Sequence, residues 1–245
     1  MNLTAGHDLI PGEKHFRWRA GEITRLEAFT DAVFGFAVTL LVVSLEVPRT
    51  YSELMEAMKG FAAFAVCFTV LIQVWVYHYI FSRRYGLQTF YTVVLNSVLL
   101  FVVLFYVYPL KFMFSLMLGV NQARHGVEPI QITQVPTLMM IYSAGFAAVF
   151  GVFALLYSYA YKNRHDLDLN EYETLRTRHA VIDHSAMAFL GLFIGVLALL
   201  VPVRYSGSTG LLYFLIGVYH TISGMIFGKR EQLALNRMQA MAAGT

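Results

Sequence analysis

A single cysteine, Cys67, stands in a chain of 245 residues. One thiol cannot build an intrachain disulfide framework, and the apolar run around Cys67 reads as the setting of a buried small hydrophobe. Charge is also scarce. Asp, Glu, Lys and Arg make up 13% of the chain, against roughly 25% in an ordinary soluble domain. The formal net charge of +3 is small and its basic residues are spread out, so nucleic acid is not an expected partner. There is no HExxH, GxSxG, GxGxxG or Walker sequence, which removes the usual motif-borne enzyme classes. The opening stretch MNLTAGHDLIPGEKHFRWRA has no apolar core and no cleavage signal behind one, so it reads as a polar tail with a basic end and not as a signal peptide.

What the chain has is apolar length. It is 58% hydrophobic, with 20 Phe and 15 Tyr. Runs long enough to cross a bilayer, roughly 20 residues, lie near 23–47, 54–81, 87–118, 136–161, 181–201 and 209–227. Pro48 stops the first, SRRYG stops the second, and Pro109 and Lys111 interrupt the third. A polar loop, 119–135, and a charged stretch, 162–179, separate the runs around the fourth. The expected fold is all-α: a polytopic membrane protein of six transmembrane helices with no separate soluble domain. Residues 1–20 form a cytoplasmic tail, 21–230 the helical domain, and 231–245 a second cytoplasmic tail. An even number of spans puts both ends on one side. That side then holds most of the 18 Lys and Arg, among them Arg17, Arg83, Arg84, Arg176 and Arg230, and the excess of basic residues makes it the cytoplasmic one.

The first run raises a question of cost. RLEAFTDAVFGFAVTLLVV begins with Arg25, Glu27 and Asp31, and a charge inside an apolar helix must be paired or used. Arg25 can reach water at the helix end. Asp31 lies about 9 Å further along the axis and needs a partner. Arg25, His78 and Asn96 are the candidates at similar depth, with Trp75 one turn from His78. Helical spacing puts Ala28, Asp31, Gly35 and Val42 on one stripe, where the small residues favour close helix packing. Phe36, Leu40 and Val43 form a second stripe on nearly the opposite side, flanked by Thr39. The polar set supports two readings, an interhelical network that fixes packing and a proton or ion relay.

Other candidates are weaker. His179, Asp183 and His184 cluster at the start of the fifth run, but an i, i+5 spacing does not converge two imidazoles, and a metal needs convergent ligands. No metal or other cofactor is expected. The stretch FYVYP at 105–109 reads as aromatic packing, and 229–239 as an amphipathic continuation of the last helix.

The first helix resembles the signature of the transmembrane protein 175 family of potassium channels, R-x-x-x-F-S-D-x-x-x-x-x-x-x-T-L. It stands here as Arg25, Phe29, Thr30, Asp31, Thr39 and Leu40, with Thr30 in place of Ser. Six spans with both ends inside match the family's single-repeat architecture. The resemblance implies a homotetramer in the cell membrane with K+ as the permeant species and the lipid bilayer around it. It further implies a pore lined by the first helix, without the TVGYG filter of other potassium channels. Its apolar constriction and threonine layer map to Phe36, Thr39, Leu40 and Val43. Arg25, Thr30, Asp31, His78 and Asn96 map to an interhelical polar network. Phe36 departs from the Ile or Leu usual at the first constriction position. The alternative is a proton- or ion-coupled transporter that uses Asp31 and His78.

Overall fold

The computed structural model describes residues 15–43, 49–118 and 130–243. The Pro48 stop, most of the 119–135 loop, residues 1–14 of the polar tail and the side chain of Val43 lie outside the described residues. The described chain is helical, with no strand: α1 Arg25–Val43, α2 Tyr51–Tyr85, α3 Phe90–Met117, α4 Val135–Lys162, α5 Glu171–Leu200, the short α6 Val203–Ser206, and α7 Leu215–Ala243. Five stretches are long and apolar enough to cross a membrane, and they contain α2, α3, α4, α5 and α7. This is a membrane protein.

Local chemistry sets the helix ends. Thr50 and Thr89 cap α2 and α3 by accepting from the backbone N–H three residues on, where the first turn leaves donors orphaned. α5 begins ten residues before the apolar run at 181 because Asn170 and Glu173 form a capping box, a reciprocal pair that nucleates a helix within a charged stretch. The 209–227 run is not one regular helix. Residues Gly207–Phe214 form a 3₁₀ segment before α7 starts, which suits a stretch holding Gly207, Ser208, Thr209 and Gly210, all poor helix formers. α3 continues through Pro109.

α4 and α5 make an intimate hairpin. A Cβ added at Gly191 would lie 3.1 Å from the Ala147 Cβ, and one at Gly195 would lie 3.0 Å from the Ser143 Cβ. Small residues four apart on both helices let the backbones approach, the packing mode favoured where lipid supplies no hydrophobic drive between helices. The core beside this hairpin is aromatic. Phe81 meets Tyr85 at 5.1 Å and Tyr157 at 5.2 Å between ring centres.

The end of the polar tail does not hang free. Phe16 is 1% exposed and packs edge-on against Tyr85. Arg17 and Arg19 both reach the Glu173 carboxylate, at 3.0 and 2.7 Å. The Arg17 guanidinium is held above the usual arginine value, chiefly by its hydrogen bond to Glu173 and against the opposing effect of burial. The backbone N–H groups of Arg19 and Ala20 donate to the Arg83 carbonyl at the end of α2. Gly86 caps α2 with φ 57°, and a Cβ there would lie 3.2 Å from the Ala20 nitrogen. Glycine is needed at this one position for both reasons.

Candidate functional site

The three charges at the start of α1 have three separate explanations. Arg25 is exposed at the helix entrance. Glu27 belongs to a capping pair: the Thr24 N–H donates to Glu27 Oε2 at 2.8 Å, and the Glu27 N–H donates to Thr24 Oγ1 at 3.1 Å. Asp31 Oδ1 accepts from Trp75 Nε1 of α2 at 2.7 Å. The partner of Asp31 is thus Trp75, and not Arg25, His78 or Asn96.

His78 and Asn96 do come together. His78 Nε2 lies 2.8 Å from Asn96 Oδ1, and the Asn96 amide donates to the Thr92 carbonyl at 2.9 Å. Both residues are buried, so the pair satisfies groups that would otherwise be costly across the α2–α3 contact. Thr30 is fully buried, and its hydroxyl donates to the Leu26 carbonyl within α1. The structure therefore resolves the five expected polar residues into local arrangements, with Trp75 as the added member. Trp75 lies one turn before His78 on α2, a spacing that gives its depth but not its partner. Asp31 and His78 share one feature: with Glu27, Tyr79 and Arg83 they line a cavity of about 170 Å³.

α1 has two unlike faces. Thr30, Phe34, Ala37 and Leu41 are buried and recur at i, i+4, i+7 and i+11, the period of one helix face. They seat α1 on α2 and α3, the helices it packs against. On the other side Phe36 is 58% exposed, Thr39 is exposed, and Leu40 is partly covered. The Thr39 hydroxyl donates to the Phe36 carbonyl at 2.7 Å. Val43 ends the helix. Gly35 has open space around its would-be Cβ, and with Asp31 and Trp75 it borders an open groove between α1 and α2. The stripe expected to pack, Ala28, Asp31, Gly35 and Val42, is thus exposed at all four positions, and the face that packs is that of Thr30, Phe34, Ala37 and Leu41.

The histidines at the start of α5 part company. His184 sits among Tyr77, Phe150, Phe153 and Tyr157, with ring centres 5.0 to 5.8 Å away. His179 stacks on Phe227 at 4.1 Å and bonds to Ser223 and Glu231 of α7. Asp183 faces His220 at 3.4 Å. Among the described residues no group of His, Cys, Asp and Glu could hold a metal ion. The Arg17–Arg19–Glu173 cluster was missed in the sequence, although N-x-x-E at 170–173 marks Glu173 as a helix-start residue. The Gly191-x-x-x-Gly195 spacing likewise marks the α4–α5 contact.

These features define a helical, multi-span membrane protein whose first helix is seated on one face and bare on the other. The family described as endosomal/lysosomal potassium channel TMEM175 matches residues 25–106. A protein of Marivirga tractuosa named potassium channel is 36% identical over 232 residues, which cover 90% of this chain and 94% of that relative. The chain belongs to the TMEM175 family, a family of potassium channels and not of enzymes. The crystal structure of a variant of the potassium channel MtTMEM175, in complex with a nanobody–MBP fusion protein, matches with a TM-score of 0.75 at 36% identity. That match covers 88% of this chain and 97% of the other. A lysosomal potassium-selective channel TMEM175 homolog from Chamaesiphon minutus shares the fold, with a TM-score of 0.54 at 23% identity.

Proposed function

We propose that the chain is a potassium channel that assembles as a homotetramer in the cell membrane around the bare face of α1. The carrying observation is the division of α1: Thr30, Phe34, Ala37 and Leu41 are consumed by the protomer, while Phe36 and Thr39 are left outside. In this reading Phe36, Thr39, Leu40 and Val43 face the axis. The apolar ring made by four copies of Phe36 gates K+ by dewetting, and no carbonyl filter is needed. The names of the relatives support K+ as the permeant ion.

α1 is the sixth span of this reading, added to the five long apolar stretches. Its 19 residues give a length of roughly 28 Å at 1.5 Å per residue, close to the hydrocarbon thickness of about 30 Å. Both termini are then cytoplasmic, on the side of Arg17, Arg19, Arg83 and Arg84, as the excess of basic residues favours. Asp31, held by Trp75, and the His78–Asn96 pair are supports that fix α1 against α2 and α2 against α3.

The test is K+ flux into liposomes holding the purified chain, wild type beside Phe36→Ala, with a Na+ gradient as the comparison. The expected result is K+ passage above Na+ in wild type and a faster, less selective flux in the variant. Absence of K+ flux at every voltage would remove the channel reading. A coupled transporter is the second reading, and the cavity shared by Asp31 and His78 favours it. It requires uphill cation movement driven by a pH gradient and abolished in Asp31→Asn, whereas the channel passes K+ only downhill.

A further inference from the structure

We propose that residues 15–20 are a gating strap, in which the clamp of Arg17 and Arg19 on Glu173 holds the cytoplasmic entrance of α1 and sets how often the pore opens. This inference rests on the channel reading.

The strap is built into the fold. Phe16 anchors it in the core at 1% exposure, with the Arg84 guanidinium 4.7 Å from its ring centre. Glu173 is fully buried, and its carboxylate receives Arg17 through the backbone N–H and the guanidinium, and Arg19 through its guanidinium. A buried carboxylate is tolerated only when paired and hydrogen-bonded, so these contacts are obligatory for Glu173 and not decoration. The α4–α5 loop adds acceptors: the Leu167 carbonyl takes Arg19 Nε at 2.7 Å, and the Asp168 carbonyl takes both guanidinium groups. Asp168 stands at φ 47° as it presents that carbonyl.

The strap bridges parts that are otherwise apart. α1 packs on α2 and α3 and on no other helix among the described residues. The start of α5 and the loop before it reach α1 along the chain itself, through the strap and the four residues 21–24 that follow it, beside a side-chain route through α2, where the Tyr85 hydroxyl lies 2.7 Å from the Thr177 hydroxyl. A shift of α5 pulls on the α1 entrance, and release of the clamp frees it. The effect falls on opening rather than on ion choice, because Phe36 lies roughly 16 Å along the axis from Arg25 at 1.5 Å per residue.

The experiment compares wild type with Glu173→Gln, each as the full chain in liposomes. K+ flux, the K+/Na+ ratio, the assembly state by size exclusion, and trypsin cleavage after Arg17 and Arg19 by mass spectrometry are read together. The expected result is a strap resistant to trypsin in wild type and cut in the variant, a K+ flux changed at least threefold, and an unchanged K+/Na+ ratio in the same assembly. A strap that is cut while flux stays at the wild-type rate overturns the proposal. So does a strap that stays resistant in Glu173→Gln, because the clamp would then not hold it. If Glu173→Gln fails to assemble, Arg19→Gln is read in the same way, with trypsin cleavage after Arg17 alone because that substitution removes the site at 19. Wild type that passes no K+ defeats the channel reading itself, an outcome distinct from a released strap without effect on flux.

Discussion

The Trp75 indole donates to Asp31 Oδ1 at 2.7 Å and ties α1 to α2. A short acid within an apolar helix needs a donor at its own depth, and the long, rigid indole delivers one without bringing a second charge into the bundle. Trp75→Phe keeps most of the ring and removes the donor. It is expected to cost about 1 kcal/mol, the middle of the range for an ordinary protein hydrogen bond, because Asp31 is exposed. Thermal unfolding of the detergent-solubilised protein should show a lower midpoint. Asp31→Asn keeps an acceptor oxygen and should lose less. Equal midpoints for Trp75→Phe and wild type would show that the bond does not stabilise α1.

The His78–Asn96 pair should behave as a unit. Asn96→Leu leaves the buried imidazole without its 2.8 Å partner, at a cost of about 1–3 kcal/mol for an unsatisfied buried group. Changing both, His78→Phe with Asn96→Leu, should cost less than the sum of the single changes, since no polar group is then stranded. A double-mutant cycle on unfolding midpoints checks this. Strict additivity would mean that the two side chains do not depend on each other.

Much of this arrangement was legible in the chain itself. The positions of the long apolar stretches follow from apolar length, and the family signature from the residue types at Arg25, Phe29, Thr30, Asp31, Thr39 and Leu40. The packed face of the first helix was not legible: small residues at Ala28 and Gly35 suggested the Asp31 stripe, whereas Thr30, Phe34, Ala37 and Leu41 are the buried ones. The partner of Asp31 was not legible, because His78 and Asn96 looked equally placed by depth, and depth does not say which way an indole turns. Glu27 was readable as one half of Thr24-x-x-Glu27, yet its position inside an apolar run drew attention to membrane cost and away from capping. The strap was hidden for another reason. Arg17 and Arg19 meet Glu173 across more than 150 residues of chain, and a polar, basic segment by composition alone reads as a solvated tail.

Gly145 makes a sharp steric prediction. A Cβ built there would lie 2.1 Å from Cδ2 of Tyr106, far inside contact distance. Tyr106 is also pinned, its hydroxyl donating to the Tyr142 carbonyl at 2.9 Å. Gly145→Ala should therefore destabilise by about 1–3 kcal/mol through overpacking. Combining it with Tyr106→Leu, which withdraws the ring, should recover part of that loss. Tolerance of Gly145→Ala with an unchanged midpoint would contradict the close α3–α4 packing.

The bare face of α1 can be mapped with the chain's own chemistry. Its one cysteine, Cys67, is 1% exposed, and Cys67→Ala gives a background with no native thiol. Single cysteines are then placed along α1 and treated in liposomes with a water-soluble cationic thiol reagent. Phe36→Cys and Thr39→Cys should react, and the added bulk and positive charge should cut K+ flux by tenfold or more. Phe34→Cys and Leu41→Cys point into the protomer, at 4% and 1% exposure, and should neither react nor lose flux. The contrast matters more than either result alone. A lipid-facing Phe36 would be as exposed in the isolated protomer as a pore-facing one, but a charged reagent arriving through water reaches only the second. Block at positions 36 and 39 with silence at 34 and 41 would put the axis on the Phe36 side of α1. Equal silence at all four would move the conduction path to another helix.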